Sequence, residues 1–378
     1  MGSPTLANLP TEILTLIFGS FCLHCCGVHR QLCGLGTLQQ HQQQRQAQQQ
    51  REEQKPNERS WYSLERQPLL SLCLVSKRTR DVAQPILYHE FVLGYGDSWR
   101  SKAYSWDGRL ASFTRTVAQR WDLARYVKVV SIHSRLLDVV QEDEARIALM
   151  EGAHSLGIDL LSAWTQRKPD PSRDEKWILD FPEFLVSFLN KETKHTRRVQ
   201  RRLTLSFEYP RAPGQRIIAT ELAAVLIAQL PNLDRLTFQE PFTEDSCLGP
   251  FPPSALPYLN ISSLPLKTLD LGIPSLPLLE RATGLETLNI QRCDFPSPIP
   301  PLPNLKVIRI ANLNLSDSQL QNLLVSCTGN LRTFVYEAVL EELAEKQIYR
   351  CASNAPTWVR GRNELLPGLP AIGGAILR

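Results

Sequence analysis

A short apolar pattern recurs through the C-terminal half of this 378-residue chain and restricts the folds that the chain can adopt. The pattern reads apolar-x-x-apolar-x-apolar, and its clearest copy is Leu266-x-x-Leu269-x-Leu271. Further copies begin at Leu233, Leu285, Leu305 and Leu331, and weaker ones lie at Leu203/Leu205 and Val127/Val130/Ile132. A strand of this kind turns its apolar residues to one side and closes no core of its own, so neighbouring copies must stack. The sequence therefore predicts an α/β fold with a curved parallel sheet.

The segments between the copies predict the elements that cover this sheet. Residues 221–230 and 316–327 have the apolar spacing of amphipathic helices. The proline-rich stretches 250–265 and 296–303 favour tight or extended crossings. Residues 92–200 are predicted to be mainly helical. The uneven spacing of the copies leaves a non-solenoid α/β domain open as an alternative.

The residues between the buried positions of each copy are predicted to lie on the concave face of the sheet. These are Arg235, Thr237 and Gln239; Thr268 and Asp270; Thr287, Asn289 and Gln291; and Arg309. The row is polar and carries few charges, which suits recognition of a protein or peptide surface. We therefore predict that it binds a target protein. The alternative is that it is only the solvated side of a sheet.

The N-terminal segment contains two apolar helical pieces that are separated by a long insert. The first covers residues 9–18, where Thr11 is a candidate N-cap and the apolar residues recur at helical spacing. The second covers residues 69–88, where Pro85 is expected to end the helix or begin the next one. Each piece is too short to be stable alone. The two pieces are therefore predicted to fold together, against a partner, or both.

The two pieces are similar to a known motif. Leu9-Pro10-x-Glu12-Ile13-Leu14-x-x-Ile17-Phe18, followed by Leu72-x-Leu74-Val75-Ser76-Lys77-x-x-Arg80, resembles the F-box, and the repeated pattern resembles degenerate leucine-rich repeats. The resemblance implies a three-helix module that docks on the adaptor subunit of an SCF-type ubiquitin ligase and, through it, on a cullin. The docking positions that it carries over are Leu9, Pro10, Ile13, Leu14, Ile17, Leu74 and Val75.

The same resemblance implies that the chain is a non-catalytic substrate receptor whose repeat domain holds a target protein. Two departures from the family pattern motivate an alternative. Residues 22–68 are inserted between the helices, and Thr79 stands where an aromatic residue is common. The alternative is a leucine-rich-repeat scaffold with a decayed F-box and no ligase role.

The insert has two parts. Cys22, Cys25, His29 and Cys33 have the donor types of a four-ligand zinc site, but zinc modules usually pair two ligand turns across a longer loop. We therefore predict free thiols, with no metal and no other cofactor. A zinc- or redox-responsive protein remains a third alternative. The glutamine-rich residues 39–54 are predicted to be a solvated helix or a disordered loop.

Composition and motifs exclude several classes of function. The net charge of +4 is too small to indicate nucleic acid as the principal partner, and no apolar run reaches membrane-spanning length. Nine scattered cysteines indicate reduced thiols and a cytoplasmic and/or nuclear protein. No nucleotide-binding, metalloprotease or serine-nucleophile motif is present, so we do not expect an enzyme. The basic cluster at residues 191–202 is predicted to be a solvated turn, with binding of an acidic segment or nuclear import as alternatives.

These observations divide the chain into four predicted parts. Residues 1–93 form the F-box-like module with its insert, and residues 94–200 form a mainly helical linker with the first repeat. Residues 201–340 form the leucine-rich-repeat domain, and residues 341–378 form an irregular C-terminal tail.

Overall fold

The computed structural model describes residues 8–27, 61–92, 108–133, 136–137, 140–166, 177–190, 213–239, 255–272, 276–291, 299–311, 316–327, 330–337 and 376–377. Several predicted features lie outside these residues: His29 and Cys33, the glutamine-rich stretch 39–54, the basic cluster 191–202, the weak copy at Leu203/Leu205 and most of the tail. Within the described ranges the chain is a mixed α/β protein built around one parallel sheet.

Three helices come first: α1 (Thr11–Gly19), α2 (Trp61–Val75) and α3 (Lys77–Leu87). Both α1 and α2 pack against α3. Their shared core is small and consists of Leu14, Phe18, Cys22, Leu69, Val82, Ala83 and Ile86. The two predicted pieces therefore fold together. We call α1–α3 the three-helix module.

The bounds of these helices differ from the sequence prediction in three places. The N-cap residue of α1 is Pro10 rather than Thr11. Helix α2 begins at Trp61, inside the predicted insert, and contains Pro68. Helix α3 continues through Pro85 to Leu87. A proline in the last turn of a helix removes only one backbone hydrogen bond near its end, so the helix can continue past it.

The strands of the sheet follow one another in chain order and are all parallel. They are β1 (Glu90–Val92), β2 (Val129–His133), β3 (Arg235–Gln239), β4 (Thr268–Leu271), β5 (Thr287–Gln291), β6 (Val307–Ala311) and β7 (Thr333–Glu337), with the two-residue β8 (Ile376–Leu377) paired to β7. Every described copy of the apolar pattern forms one of these strands. Residues of the predicted tail thus extend the edge of the sheet next to β7.

The strand register aligns the copies of the apolar pattern. The second apolar positions form one lateral row, Leu236, Leu269, Leu288, Ile308 and Phe334, and the third positions form another, Phe238, Leu271, Ile290, Ile310 and Tyr336. These rows lie in the main core. Burying one leucine or isoleucine side chain stabilises a fold by roughly 1.5–3 kcal/mol, so a slip in register that moved these rows to the other face would be costly.

The remaining helices connect the strands. They are α4 (Arg109–Gln119), α5 (Trp121–Ala124), α6 (Glu142–Ser155), α7 (Leu160–Thr165), α8 (Trp177–Leu189), α9 (Pro213–Ala228), α10 (Ala255–Tyr258), α11 (Leu276–Arg281) and α12 (Asp317–Ser326). The mainly helical character predicted for residues 92–200 is confirmed for their described part. Among the helices of the described ranges, none has the length and apolarity required to cross a bilayer.

Helix α9 is not the amphipathic helix that the sequence predicts for residues 221–230. It begins earlier, and residues 217–227 are buried on all its faces. The buried carboxylate of Glu221 accepts a hydrogen bond from the indole N–H of Trp164, at 3.0 Å. A polar residue inside this helix therefore faces a buried partner rather than water.

The sheet begins closer to the N-terminus than the predicted domain boundary at residue 93. Strand β1 starts at Glu90, only two residues after Tyr88 caps α3 and within the range assigned to the helical module. The main core includes Phe91 of β1, whereas the core of the three-helix module contains no strand residue among those described. Along the chain, the change from one core to the other therefore falls between Leu87 and Phe91.

Candidate protein-binding surfaces

The three-helix module exposes large apolar side chains on α1 and α2. They are Ile13, Leu16, Ile17, Leu70, Leu74 and Val75, and we call them the apolar patch. Leu74 is 88% exposed and Val75 is 69% exposed. Clustered apolar side chains at the surface of a protein mark interaction sites.

A hydrogen bond from α3 links the two halves of the apolar patch. On α1, Ile13 and Ile17 lie one helical turn apart, as do Leu70 and Leu74 on α2. The guanidinium of Arg78, in the first turn of α3, donates a hydrogen bond to the carbonyl oxygen of Leu9. Since Val75 ends α2 directly before α3, this bond brings the end of α2 to the start of α1.

The predicted docking positions divide between this surface and the core. Ile13, Ile17, Leu74 and Val75 belong to the apolar patch, Pro10 is exposed beside it, and Leu9 is partly buried against the module core. Leu14 is the exception, because it is fully buried in that core. Successive residues of a helix point about 100° apart, so Leu14 faces α3 while Ile13 faces outward.

The sequence prediction omitted Leu16 and Leu70, which are both exposed. Their spacing carried a signal, since Leu16 follows Ile13 by three residues and Leu70 precedes Leu74 by four. They were not predicted because the docking positions were taken from the resemblance to the F-box and not from helical spacing.

Thr79 has a defined structural function in this chain. The Ser76 hydroxyl accepts the N–H of Thr79 at 3.1 Å, and the Thr79 hydroxyl accepts the N–H of Ser76 at 3.0 Å. This reciprocal pair caps the start of α3 and satisfies two of its N-terminal donors. Thr79, where the sequence differs from the F-box pattern, therefore helps to fix the start of α3 at Lys77, two residues after Val75.

The second candidate surface is the polar side of the sheet. The register places Thr237, Asp270, Asn289 and Arg309 in one lateral row. The Asp270 Oδ2 atom accepts hydrogen bonds from Arg235 Nε at 2.8 Å and from Arg235 Nη2 at 2.6 Å. It also accepts a hydrogen bond from the hydroxyl of Thr237 at 2.7 Å. We call these five residues the polar ladder.

The ladder continues on the other side of Asp270. The side-chain amide of Asn289 donates to Asp270 Oδ1, and Arg309 Nη1 donates to Asn289 Oδ1 at 3.4 Å. Arg235, Asp270 and Asn289 are all buried. A buried charge is stable only when it is paired, and these side chains satisfy one another.

This arrangement differs from the open binding face that the sequence predicts. Strands about 4.8 Å apart bring the side chains of one row into contact, so opposite charges and amides on neighbouring strands pair with each other. Thr237, Thr268, Thr287 and Arg309 are only partly buried. Gln239 and Gln291 lie in their strands as predicted, but their side chains are outside the described part of the structure.

The lateral row of the ladder also contains Ser131 of β2, which pairs with Thr237. Its hydroxyl is buried, and it has no hydrogen-bond partner among the described residues. Around Asp270 the polar side chains are thus hydrogen-bonded to one another, whereas at the β2 end the Ser131 hydroxyl lacks such a bond within the described part of the chain.

No protein-family model, no curated protein and no solved structure matches this chain.

Proposed function

We propose that this protein is a non-catalytic substrate-recognition subunit of an SCF-type ubiquitin ligase, in which the three-helix module is an F-box that docks on the adaptor subunit and thereby on a cullin. The apolar patch is the observation that supports the proposal. Its six side chains are exposed although the module already has its own buried core. Exposed leucines and valines gain about 25 cal/mol per Å² when a partner covers them, which favours a protein partner for this surface.

We also propose that the strands and their connections are degenerate leucine-rich repeats forming a curved solenoid. The chain-order parallel sheet and the alignment of its apolar rows support this reading. In this scheme the solenoid holds a target protein near the ubiquitin-loaded enzyme. Rate enhancement then comes from proximity, because tethering raises the effective concentration of a target lysine near the thioester.

The polar ladder changes where the target is expected to bind. Arg235, Asp270 and Asn289 are engaged with one another, so they hold the sheet together rather than offering free groups. Among the predicted residues whose side chains are described, Thr268, Thr287 and Arg309 are partly buried, and we expect a target to reach them.

The docking proposal is tested by titrating the purified full chain with a purified SCF adaptor subunit in a calorimeter. We expect saturable one-to-one binding. Val75→Asp and Leu74→Asp should each weaken it by at least about 30-fold, the size of an interface hot spot of about 2 kcal/mol. Both side chains are strongly exposed, so these changes should leave the thermal unfolding of the chain nearly unchanged.

Val325→Asp is the matched control. Val325 lies on α12, outside the three-helix module, and is 62% exposed, close to the exposure of Val75. It should bind the adaptor like the wild type. Equal weakening by Val325→Asp and Val75→Asp would contradict a docking role for the apolar patch, and lack of saturable binding by the wild type would favour the scaffold with a decayed F-box.

A further inference from the structure

Four metal-ligating side chains converge where the three-helix module meets the sheet. They are Cys22, His24, Cys25 and His89, and their donor atoms all lie within 4.8 Å of one another. The Nδ1 atom of His89 is 3.3 Å from Cys25 Sγ and 3.8 Å from Cys22 Sγ. The Nδ1 atom of His24 is 3.9 Å from Cys25 Sγ. We call these four residues the Cys/His cluster.

Three members of the cluster lie in one tight turn after α1. The N–H of Cys26 donates to the carbonyl of Cys22 at 3.0 Å, and the N–H of Gly27 donates to the carbonyl of His24 at 3.0 Å. Gly27 has a φ of +69°, a left-handed conformation that glycine adopts readily and that allows the chain to leave the turn. The backbone therefore holds the two thiols and one imidazole close together.

The fourth member is held by the sheet. The carbonyl of His89 accepts the N–H groups of Lys128 at 2.8 Å and Val129 at 2.9 Å, at the start of β2. His89 lies between Tyr88, which caps α3, and Glu90, which begins β1. Its imidazole therefore has a fixed origin that is independent of the turn after α1.

A buried carboxylate joins the turn to the sheet. Glu90 Oε2 accepts the backbone N–H of His24 at 3.2 Å, and Glu90 Oε1 lies 3.6 Å from the guanidinium of Arg66. The side chain of Glu90 is almost completely buried. This contact holds the turn in place without using any of the four donor atoms, which preorganises the cluster.

We propose that the Cys/His cluster is a structural zinc site. Zinc bonds of about 2.3 Å to sulfur and about 2.0–2.1 Å to nitrogen place the ligands of a tetrahedral site roughly 3.3–3.8 Å apart. The three separations given above lie at or near this range, and the remaining ones do not exceed 4.8 Å, so side-chain rotations are needed to bring all four donors onto one ion. Two thiolates neutralise the charge of Zn²⁺, and four protein ligands leave no position for a substrate, which makes the site structural rather than catalytic.

Metal binding replaces two thiol protons. In the absence of metal, the hydrogen bond with Cys25 and burial raise the pKa of the Cys22 thiol to about 11, whereas the same hydrogen bond lowers the pKa of Cys25. Zinc coordination converts both groups to thiolates and releases their protons to solvent. The metal then ties the end of α1 to the junction of α3 and β1, and so fastens the three-helix module to the sheet.

This ligand set differs from the one that the sequence suggests. Cys22 and Cys25 are common to both, but His24 and His89 take the place of His29 and Cys33, which lie outside the described residues. His89 follows Cys25 by 64 residues, so no local spacing motif reveals it.

The test is the zinc content of the full-length protein after purification without chelators and dialysis into metal-free buffer. We expect about one zinc per chain, since the cluster supplies one complete ligand set. Cys25→Ser and His89→Ala should each reduce the zinc content to background. Cys26→Ser, in the same turn, and Cys73→Ser, in α2, are matched controls and should retain the metal.

Cobalt substitution of the wild type gives a second readout that requires no variant. Tetrahedral thiolate coordination of Co²⁺ should produce intense visible absorption and sulfur-to-metal charge transfer. Absence of both zinc and this spectrum would overturn the proposal. So would metal that survives His89→Ala but is lost from His29→Ala/Cys33→Ser, or a Cys22–Cys25 disulfide in place of bound metal. Adaptor binding plays no part in these measurements, so their outcome is independent of the docking proposal.

Discussion

Asp270→Ala should destabilise the sheet far more than the loss of an ordinary surface carboxylate. Asp270 accepts hydrogen bonds from Arg235, Thr237 and Asn289, and its side chain is only 10% exposed. Truncation deprives three neighbouring strand residues of a partner at the same time. The most costly loss is that of Arg235, because its buried guanidinium loses the carboxylate that offsets its charge.

The expected cost is about 3–5 kcal/mol, the range measured when one partner of a buried ion pair is removed. All three residues donate to the same charged carboxylate. A hydrogen bond to a charged group contributes about 1.5–3 kcal/mol, but bonds that share one acceptor are not additive, so the range for a buried ion pair applies. With a urea dependence near 3 kcal/mol per molar, the unfolding midpoint should fall by roughly 1–2 M.

The assay is urea unfolding followed by far-ultraviolet circular dichroism, with Asp234→Ala as the matched control. Asp234 and Lys267 directly precede β3 and β4, and their side chains pair at 3.1 Å. Unlike the pair of Arg235 and Asp270, this pair is exposed. Its loss should cost less than about 1 kcal/mol. Arg235→Met/Asp270→Ala should cost less than the sum of its two single changes. Equal costs for Asp270→Ala and Asp234→Ala, or additivity in the double variant, would refute the proposed role of the ladder.

Two further changes test local features of the helices. Ser76→Ala removes the capping hydroxyl of α3 and should cost about 0.5–2 kcal/mol in thermal unfolding, whereas Ser71→Ala, an exposed serine inside α2, should cost less. Arg115→Ala removes the partner that lowers the pKa of the Glu151 carboxyl, and it should cost less than about 1 kcal/mol at neutral pH because the pair is partly exposed. A lowered acid pKa stabilises the fold fully above the ordinary glutamate pKa and not at all below the lowered value. The difference from the wild type should therefore shrink below the ordinary pKa and vanish as the pH falls through the pKa of Glu151; a difference that persists in acid would contradict this account.

The strands were predictable from the sequence because their signal is local. In each copy, two apolar residues separated by one residue follow the period of a strand, and a third apolar residue lies three positions before the first of them. Leu236, Leu269 and Leu288 consequently occupy equivalent positions in register, as expected. The helix predicted for residues 316–327 was also predictable from a local signal, the helical spacing of its apolar residues. It is α12 (Asp317–Ser326), and Ser316 and Gln319 form a capping box at its start.

The properties of the polar face were not predictable in the same way. Whether Asp270 is open to a target or saturated depends on the side chains beside it on other strands, and Arg235 and Asn289 are distant from it in sequence. A single strand pattern distinguishes buried from polar positions but contains no information on which polar groups pair. The same limit applies to Glu221, which looks like the solvent-facing residue of an amphipathic helix and instead faces Trp164.

The sequence by itself determined the strand segments and the two apolar helical pieces, because each depends on residues within a few positions of one another. The repetition of the strand pattern then indicated the α/β class and a parallel sheet. Only the tertiary structure decided that Leu14 is core while Leu74 is surface, and that His89 meets Cys25. Those outcomes depend on how α1 and α3 pack and on where the chain enters the sheet. Packing brings together residues that are far apart in the sequence, so a site made of such residues forms only when the chain folds.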